Sequence, residues 1–135
     1  MKKTLDVLVV DDQVGVRYLL EIIALEAGHR VQSAQNGLEA IEKVRLHKPD
    51  LVFMDVRMPI MGGLEALTKI TKMAPGTAVV IMTAYGAEET AAVALQKGAY
   101  LCMSKPFDLG EVKKLLQDFA GRLNCYQQSC AESFA

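Results

Sequence analysis

Long apolar runs are missing from this chain. No segment reaches the roughly 20 consecutive apolar residues that a bilayer crossing requires. The opening "MKKTLDVLVVDD" is no signal peptide either, because its apolar run is short and ends in Asp-Asp without a small-residue cleavage site. A basic surplus is also missing. Fifteen Lys and Arg against 16 Asp and Glu give a formal net charge of -1, and no cationic run forms a patch, so a nucleic-acid partner is not expected. Cysteine is sparse: Cys102, Cys125 and Cys130 are an odd set without a spaced framework, which excludes a disulfide scaffold. Cys125 and Cys130 have no histidine close by, which speaks against zinc. Neither "GxxxxGK[ST]" nor "GxGxxG" follows the first apolar run, so a nucleotide or flavin site has no cradle there. These absences together predict a cytoplasmic protein with reduced thiols and no membrane partner.

What is present is a repeated alternation. At 135 residues and 51% apolar content the chain can bury one real core. "LDVLVV" reads as a strand and "VGVRYLLEIIALEAG" as a helix stopped by Gly28. Val16, Leu19, Leu20 and Ile23 fall at the spacing of one buried helical face. "RVQSA" is a short alternating strand, followed by the helix "NGLEAIEKVRLH" with Leu38, Ile41 and Val44 on one side. "LVFM", "TAVVIMT" and "AYLCMS" are further strands, each followed by a helix. Five strand–helix units in strict alternation predict an α/β fold, a doubly wound five-stranded parallel sheet with helices on both faces. Strands covered on both faces are expected to be continuously apolar. The domain is expected over residues 1–123, and the polar stretch 124–135 as a frayed helix end or a disordered tail.

The unusual residues fall at strand ends. Asp11 and Asp12 close the first strand, Asp55 the third, Thr83 the fourth, and Lys105 the fifth. Open parallel sheets bind ligands beyond these carboxyl ends, where the strand order reverses. With the order 2-1-3-4-5 found in such folds, strands one and three straddle the reversal and the three aspartates converge. Two like charges 4 Å apart repel by about 4 kcal/mol at an effective dielectric of about 20, so a cation is needed. Hard oxygen ligands suit Mg²⁺ (or Mn²⁺), with Asp12 bound directly and Asp11 directly or through water. A remaining carboxylate, Asp55, can then attack phosphorus to give an acyl phosphate. Lys105 and the Thr83 hydroxyl supply charge and a donor for the equatorial oxygens. The bland alternatives are an N-cap for Asp12 and solvated positions for the others. Gly62-Gly63, Met58 and Met61 read as turn chemistry and core filling, and His29 and His47 as surface residues.

"VLVVDDQ", "LVFMDVRMPIMGGLE", "VVIMTAYG" and "SKPFD" resemble the response-regulator receiver domain of two-component signalling, over roughly residues 5–120. The resemblance implies a flavodoxin-like (βα)5 fold. It implies Asp55 as phosphoacceptor, Asp11 and Asp12 with the Arg57 backbone carbonyl as Mg²⁺ ligands, and Thr83 and Lys105 on the phosphoryl group. Pro106 would hold the Lys loop through a cis peptide. "DDQVGVRYLL", "TAYG" and "KPFD" are most similar to the stand-alone receiver of the sporulation phosphorelay. That implies a sensor histidine kinase as donor, a histidine phosphotransferase as acceptor, a phosphatase as a further partner, and a monomer. Such a protein assists its own phosphorylation and is not a turnover enzyme. The docking edge would comprise Val14, Val16, Leu19, Met58, Ile60, Tyr85 and Pro106. The alternative is a chemotaxis-like receiver that signals by phosphorylation-dependent binding to a target. Three features depart from the family pattern or shape it. Cys102 stands where a switching Tyr or Phe is common, and Ile60 and Gly62 stand where Gly and Asp or Asn are common. Arg57 and Tyr85, two residues after Asp55 and Thr83, are bulky enough to slow water attack on an aspartyl phosphate. A haloacid-dehalogenase-type phosphatase would carry a second Asp where Arg57 stands.

Overall fold

Every residue of the second half of the first strand is buried, and the reason is visible in the layers on either side of it. A computed structural model describes residues 4–84 and 86–133, with side chains to residue 122. Five strands, β1 (Asp6–Val10), β2 (Arg30–Ala34), β3 (Leu51–Asp55), β4 (Ala78–Ala84) and β5 (Leu101–Lys105), alternate with α1 (Val14–Glu26), α2 (Gly37–His47), α3 (Gly63–Met73), α4 (Glu88–Gln96) and α5 (Leu109–Ser133). All strand pairs are parallel and the order is β2-β1-β3-β4-β5. Successive side chains of a strand point to opposite faces. Val7, Val9, Phe53 and Met82 therefore pack with Leu20 and Ile23 of α1 and Leu116 and Phe119 of α5. Leu8, Val10, Val52, Met54 and Ile81 pack on the other face with Val44 of α2 and Leu67 and Ile70 of α3. Two covered faces explain why β1, β3 and β4 read as unbroken apolar runs. The edge strand β2 keeps the alternating pattern seen in "RVQSA". Among the described residues, no helix is long and apolar enough to cross a membrane.

Several expectations need correction. His29 is buried rather than on the surface: its Nδ1 accepts the Leu5 N–H at 3.1 Å, tying the start of β1 to the turn after α1. Leu19 does not join Leu20 and Ile23 in the core but is exposed, because α1 overhangs the carboxyl edge of the sheet there. Leu38 is likewise exposed, and Ala40 takes the buried place beside Val44. The backbone of α5 is helical to Ser133.

The glycine pair does more than turn the chain. The Gly63 N–H donates to the Val56 carbonyl at 2.8 Å, seating the first turn of α3 on the end of β3. A Cβ on Gly63 would overlap the Asp55 carbonyl oxygen and lie 3.0 Å from its carbonyl carbon. Both partners are backbone, so neither can rotate away. Gly63→Ala is expected to cost about 2–3 kcal/mol, as other overpacking changes do. At this size each kcal/mol moves the melting temperature by about 3–5 °C. Gly15→Ala, in α1 with nothing within 4 Å of the added carbon, is expected to raise it instead by relieving glycine's helix penalty of about 0.5–1 kcal/mol. Thermal melts of the two variants check both signs.

Candidate functional site

The strand order decides which side chains meet. β1 and β3 are neighbours at the point where the order reverses, and β4 and β5 follow on one side. The carboxyl ends of these four strands open into a cavity of about 750 Å³. Asp12, Asp55, Arg57, Thr83 and Lys105 line it, with Val16, Leu19, Pro106 and Phe107 as its apolar walls.

Asp11 is fully buried, and each of its polar atoms is engaged. Its Oδ1 accepts the Gln13 N–H at 2.9 Å and its Oδ2 accepts Lys105 Nζ at 2.7 Å. Its own N–H donates to the Ala34 carbonyl at 3.1 Å, and its carbonyl accepts Arg17 Nη1 at 2.7 Å. Asp12 is exposed at the rim. The N-cap alternative for Asp12 fails on geometry. Gln13 is the N-cap of α1, and no side chain caps that helix. The chain turns at Gln13, which lets two adjacent aspartates serve one pocket.

Asp55 ends β3 with its side chain 14% exposed, 3.2 Å from Lys105 Nζ. Burial raises its pKa; Lys105 opposes this, the Asp11 charge adds to it, and the Val56 N–H opposes it, with the net direction upward. For Lys105, burial disfavours the ammonium, but the Asp11 hydrogen bond and the charges of Asp55 and Asp11 outweigh it and raise its pKa. One carboxylate oxygen from each of Asp11, Asp12 and Asp55 lies within 4.8 Å of the others. Three hard oxygen donors so placed fit a divalent cation of the magnesium class.

Thr83 is buried, and its hydroxyl leans toward the Met103 carbonyl at 3.5 Å, not toward Asp55. It lines a second cavity of about 280 Å³ together with Ala91, Cys102 and Ser104. The Cys102 thiol points at the Ala91 carbonyl at 3.6 Å, and burial pushes its pKa up. Of the expected docking residues, Val14 and Ile60 are exposed, Leu19 and Pro106 are exposed on the cavity wall, and Val16 and Met58 are half-buried. Tyr85 lies outside the described residues. The peptide before Pro106 is cis, as the resemblance implied. Sequence reading missed Arg17, Phe107 and Thr90, the last two being cavity walls. Arg17 carried a usable signal: it stands one helical turn after Gln13 and so faces back toward Asp11.

Comparison with known proteins agrees with this fold. Residues 7–117 match the family described as the response regulator receiver domain. The transcriptional regulatory protein ZraR of Klebsiella oxytoca is 42% identical over 113 residues, 84% of this chain but 26% of that protein. The chain thus spans about a quarter of that relative's length. The sporulation initiation phosphotransferase F of Bacillus subtilis (strain 168) is 35% identical over 113 residues, covering 84% of this chain and 91% of that protein. The crystal structure of NtrX from Brucella abortus superposes with a TM-score of 0.84 at 30% identity, covering 96% of this chain and 29% of that one.

The raised Asp55 pKa has a consequence for stability. The folded chain binds this proton more tightly than the unfolded chain does. Its contribution is therefore present at low pH and lost as pH rises through the folded pKa. In metal-free buffer at pH 7, Asp55→Asn is expected to melt higher than the parent. The gap should close as pH falls toward about 4, the ordinary carboxylate range. Paired thermal melts from pH 4 to 8 measure it.

Proposed function

The chain belongs to the response regulator receiver domain family, and we propose that it takes a phosphoryl group onto Asp55 from a sensor histidine kinase and passes it to the histidine of a phosphotransferase. One observation carries this reading: separate strands deliver Asp11, Asp12, Asp55 and Lys105 to a single pocket in which Lys105 bridges two of the carboxylates. The similarity to a sporulation phosphotransferase along nine-tenths of its length favours a relay role over a purely transcriptional one.

In this reading Asp11, Asp12 and Asp55 would hold Mg²⁺, with the Arg57 carbonyl as the further ligand the resemblance implies. When bound, the ion draws negative charge off the transferring phosphoryl oxygens. The free Asp55 carboxylate oxygen attacks phosphorus in line with the donor's P–N bond. That bond breaks, its electron pair stays with the departing imidazole, and a new P–O bond makes the aspartyl phosphate. Lys105 already sits 3.2 Å from Asp55, so its ammonium can follow the charge onto the phosphoryl group. The Thr83 hydroxyl, weakly held on Met103 at 3.5 Å, can turn to donate to a phosphoryl oxygen. The acyl phosphate is itself a good donor, so the same geometry run backwards loads a histidine acceptor. Arg57 at the pocket wall hinders water and favours a long-lived intermediate. The cytoplasm, where kinase domains reach it, is the compartment this role requires.

Two measurements test the reading. The protein is mixed with radiolabelled kinases and histidine phosphotransferases and the label followed in both directions. Two-way transfer is expected, abolished in Asp55→Ala; one-way acceptance instead favours a receiver that acts by binding a target. Secondly, Mg²⁺ at 100 times its Kd is expected to add about 2.7 kcal/mol of stability. Asp12→Ala should lose that gain while melting higher than the parent without metal. Equal melting and an intact Mg²⁺ response would refute the metal assignment.

A further inference from the structure

The Arg17 side chain makes one hydrogen bond, and it is to backbone: Nη1 donates to the Asp11 carbonyl at 2.7 Å. The residue runs against the rules of its own helix. It closes the first turn of α1, where its N–H donates to the Gln13 carbonyl at 3.1 Å. That turn carries no acidic residue and no side-chain cap. A cation so near a helix N-terminus faces the positive end of the dipole and weakens the helix. Among the described residues no carboxylate pairs with the guanidinium. Its charge therefore serves neither the helix nor an ion pair.

What the bond does serve is the turn between β1 and α1. The Asp11 N–H is held by the Ala34 carbonyl at 3.1 Å, and its carboxylate by Gln13 and Lys105. The freedom left at Asp11 is the direction of its carbonyl. Because the peptide unit is planar, that direction decides where the Asp12 Cα lies. The Asp12 side chain adds no restraint of its own: it is exposed, and among the described residues no group bonds to its carboxylate. Yet one of its oxygens lies within 4.8 Å of oxygens of Asp11 and Asp55. Arg17, half-buried, is not one of the residues that line the cavity. It reaches the site from behind, through the backbone.

We propose that Arg17 is a positioning residue for the divalent cation, holding the Asp11–Asp12 peptide so that the carboxylates converge before the ion arrives. The proposal rests on Asp11, Asp12 and Asp55 as the metal ligands. A ligand already in place loses little freedom on binding, and groups that orient metal ligands are typically worth about 10–100-fold in affinity. The sign separates this role from a charge effect. The Arg17 charge repels a cation, so removing charge alone would tighten binding, whereas removing the hydrogen bond loosens it.

Arg17→Met keeps the apolar stem and loses every donor, while Arg17→Lys keeps the charge and a donor head. The Kd for Mg²⁺ is taken from the melting temperature measured against Mg²⁺ concentration. Arg17→Met is expected to bind Mg²⁺ about 10–30-fold more weakly, and Arg17→Lys to stay within about threefold of the parent. The Mg²⁺ concentration that half-saturates labelling by acetyl phosphate should rise by the same factor, with the rate at saturating Mg²⁺ within about twofold of the parent. An unchanged or tighter Kd in Arg17→Met overturns the proposal. So does an Arg17→Lys variant as weak as Arg17→Met, a lowered plateau at unchanged half-saturation, or an Arg17→Met variant that no longer folds. A parent with no Mg²⁺ response at all strikes the reading of the three carboxylates and removes the proposal with it.

Discussion

The Lys105 ammonium, shared between Asp11 and Asp55 at 2.7 and 3.2 Å, is the interaction on which the rest depends. Asp11 has no solvent exposure, and an unpaired charge in that position would cost several kcal/mol. Lys105 comes from the far end of the chain, 94 residues away. The pocket therefore exists only when β1, β3 and β5 have all docked. The ion pair also sets the spacing of the site: two carboxylates stay close because a cation stands between them.

Much of the fold could be read along the chain because its strands are buried on both faces. "VLVV", "LVFM" and "VVIM" are strand segments whose side chains are buried in the two helix-covered cores, so composition alone marks them. The site could be read because like charges at adjacent strand ends have no structural justification. Other features left no mark on the periodicity. Leu19 has the spacing of a core residue and is exposed, because spacing does not say where a helix overhangs its sheet. His29 follows a helix-ending glycine and looked solvated, yet it accepts the Leu5 N–H, a pairing across 24 residues that local pattern cannot contain. Gly63 read as turn chemistry, while its actual constraint is the backbone of Asp55.

Thr83 and Cys102 meet at the wall of one small cavity. A small thiol occupies the wall of the cavity beside Thr83, hydrogen-bonded to the Ala91 carbonyl. Among the described residues no aromatic ring lines that cavity.

The seating of Gly63 against the Asp55 carbonyl carries a lesson for recombining such proteins. The stretch from residue 56 to 62 can be exchanged with that of a relative only up to a fixed splice point. The first helical residue after it must lack a side chain for the Asp55 backbone to keep its place. Chimeras joined upstream of that glycine keep the recipient's geometry; chimeras that replace it displace the Asp55 backbone.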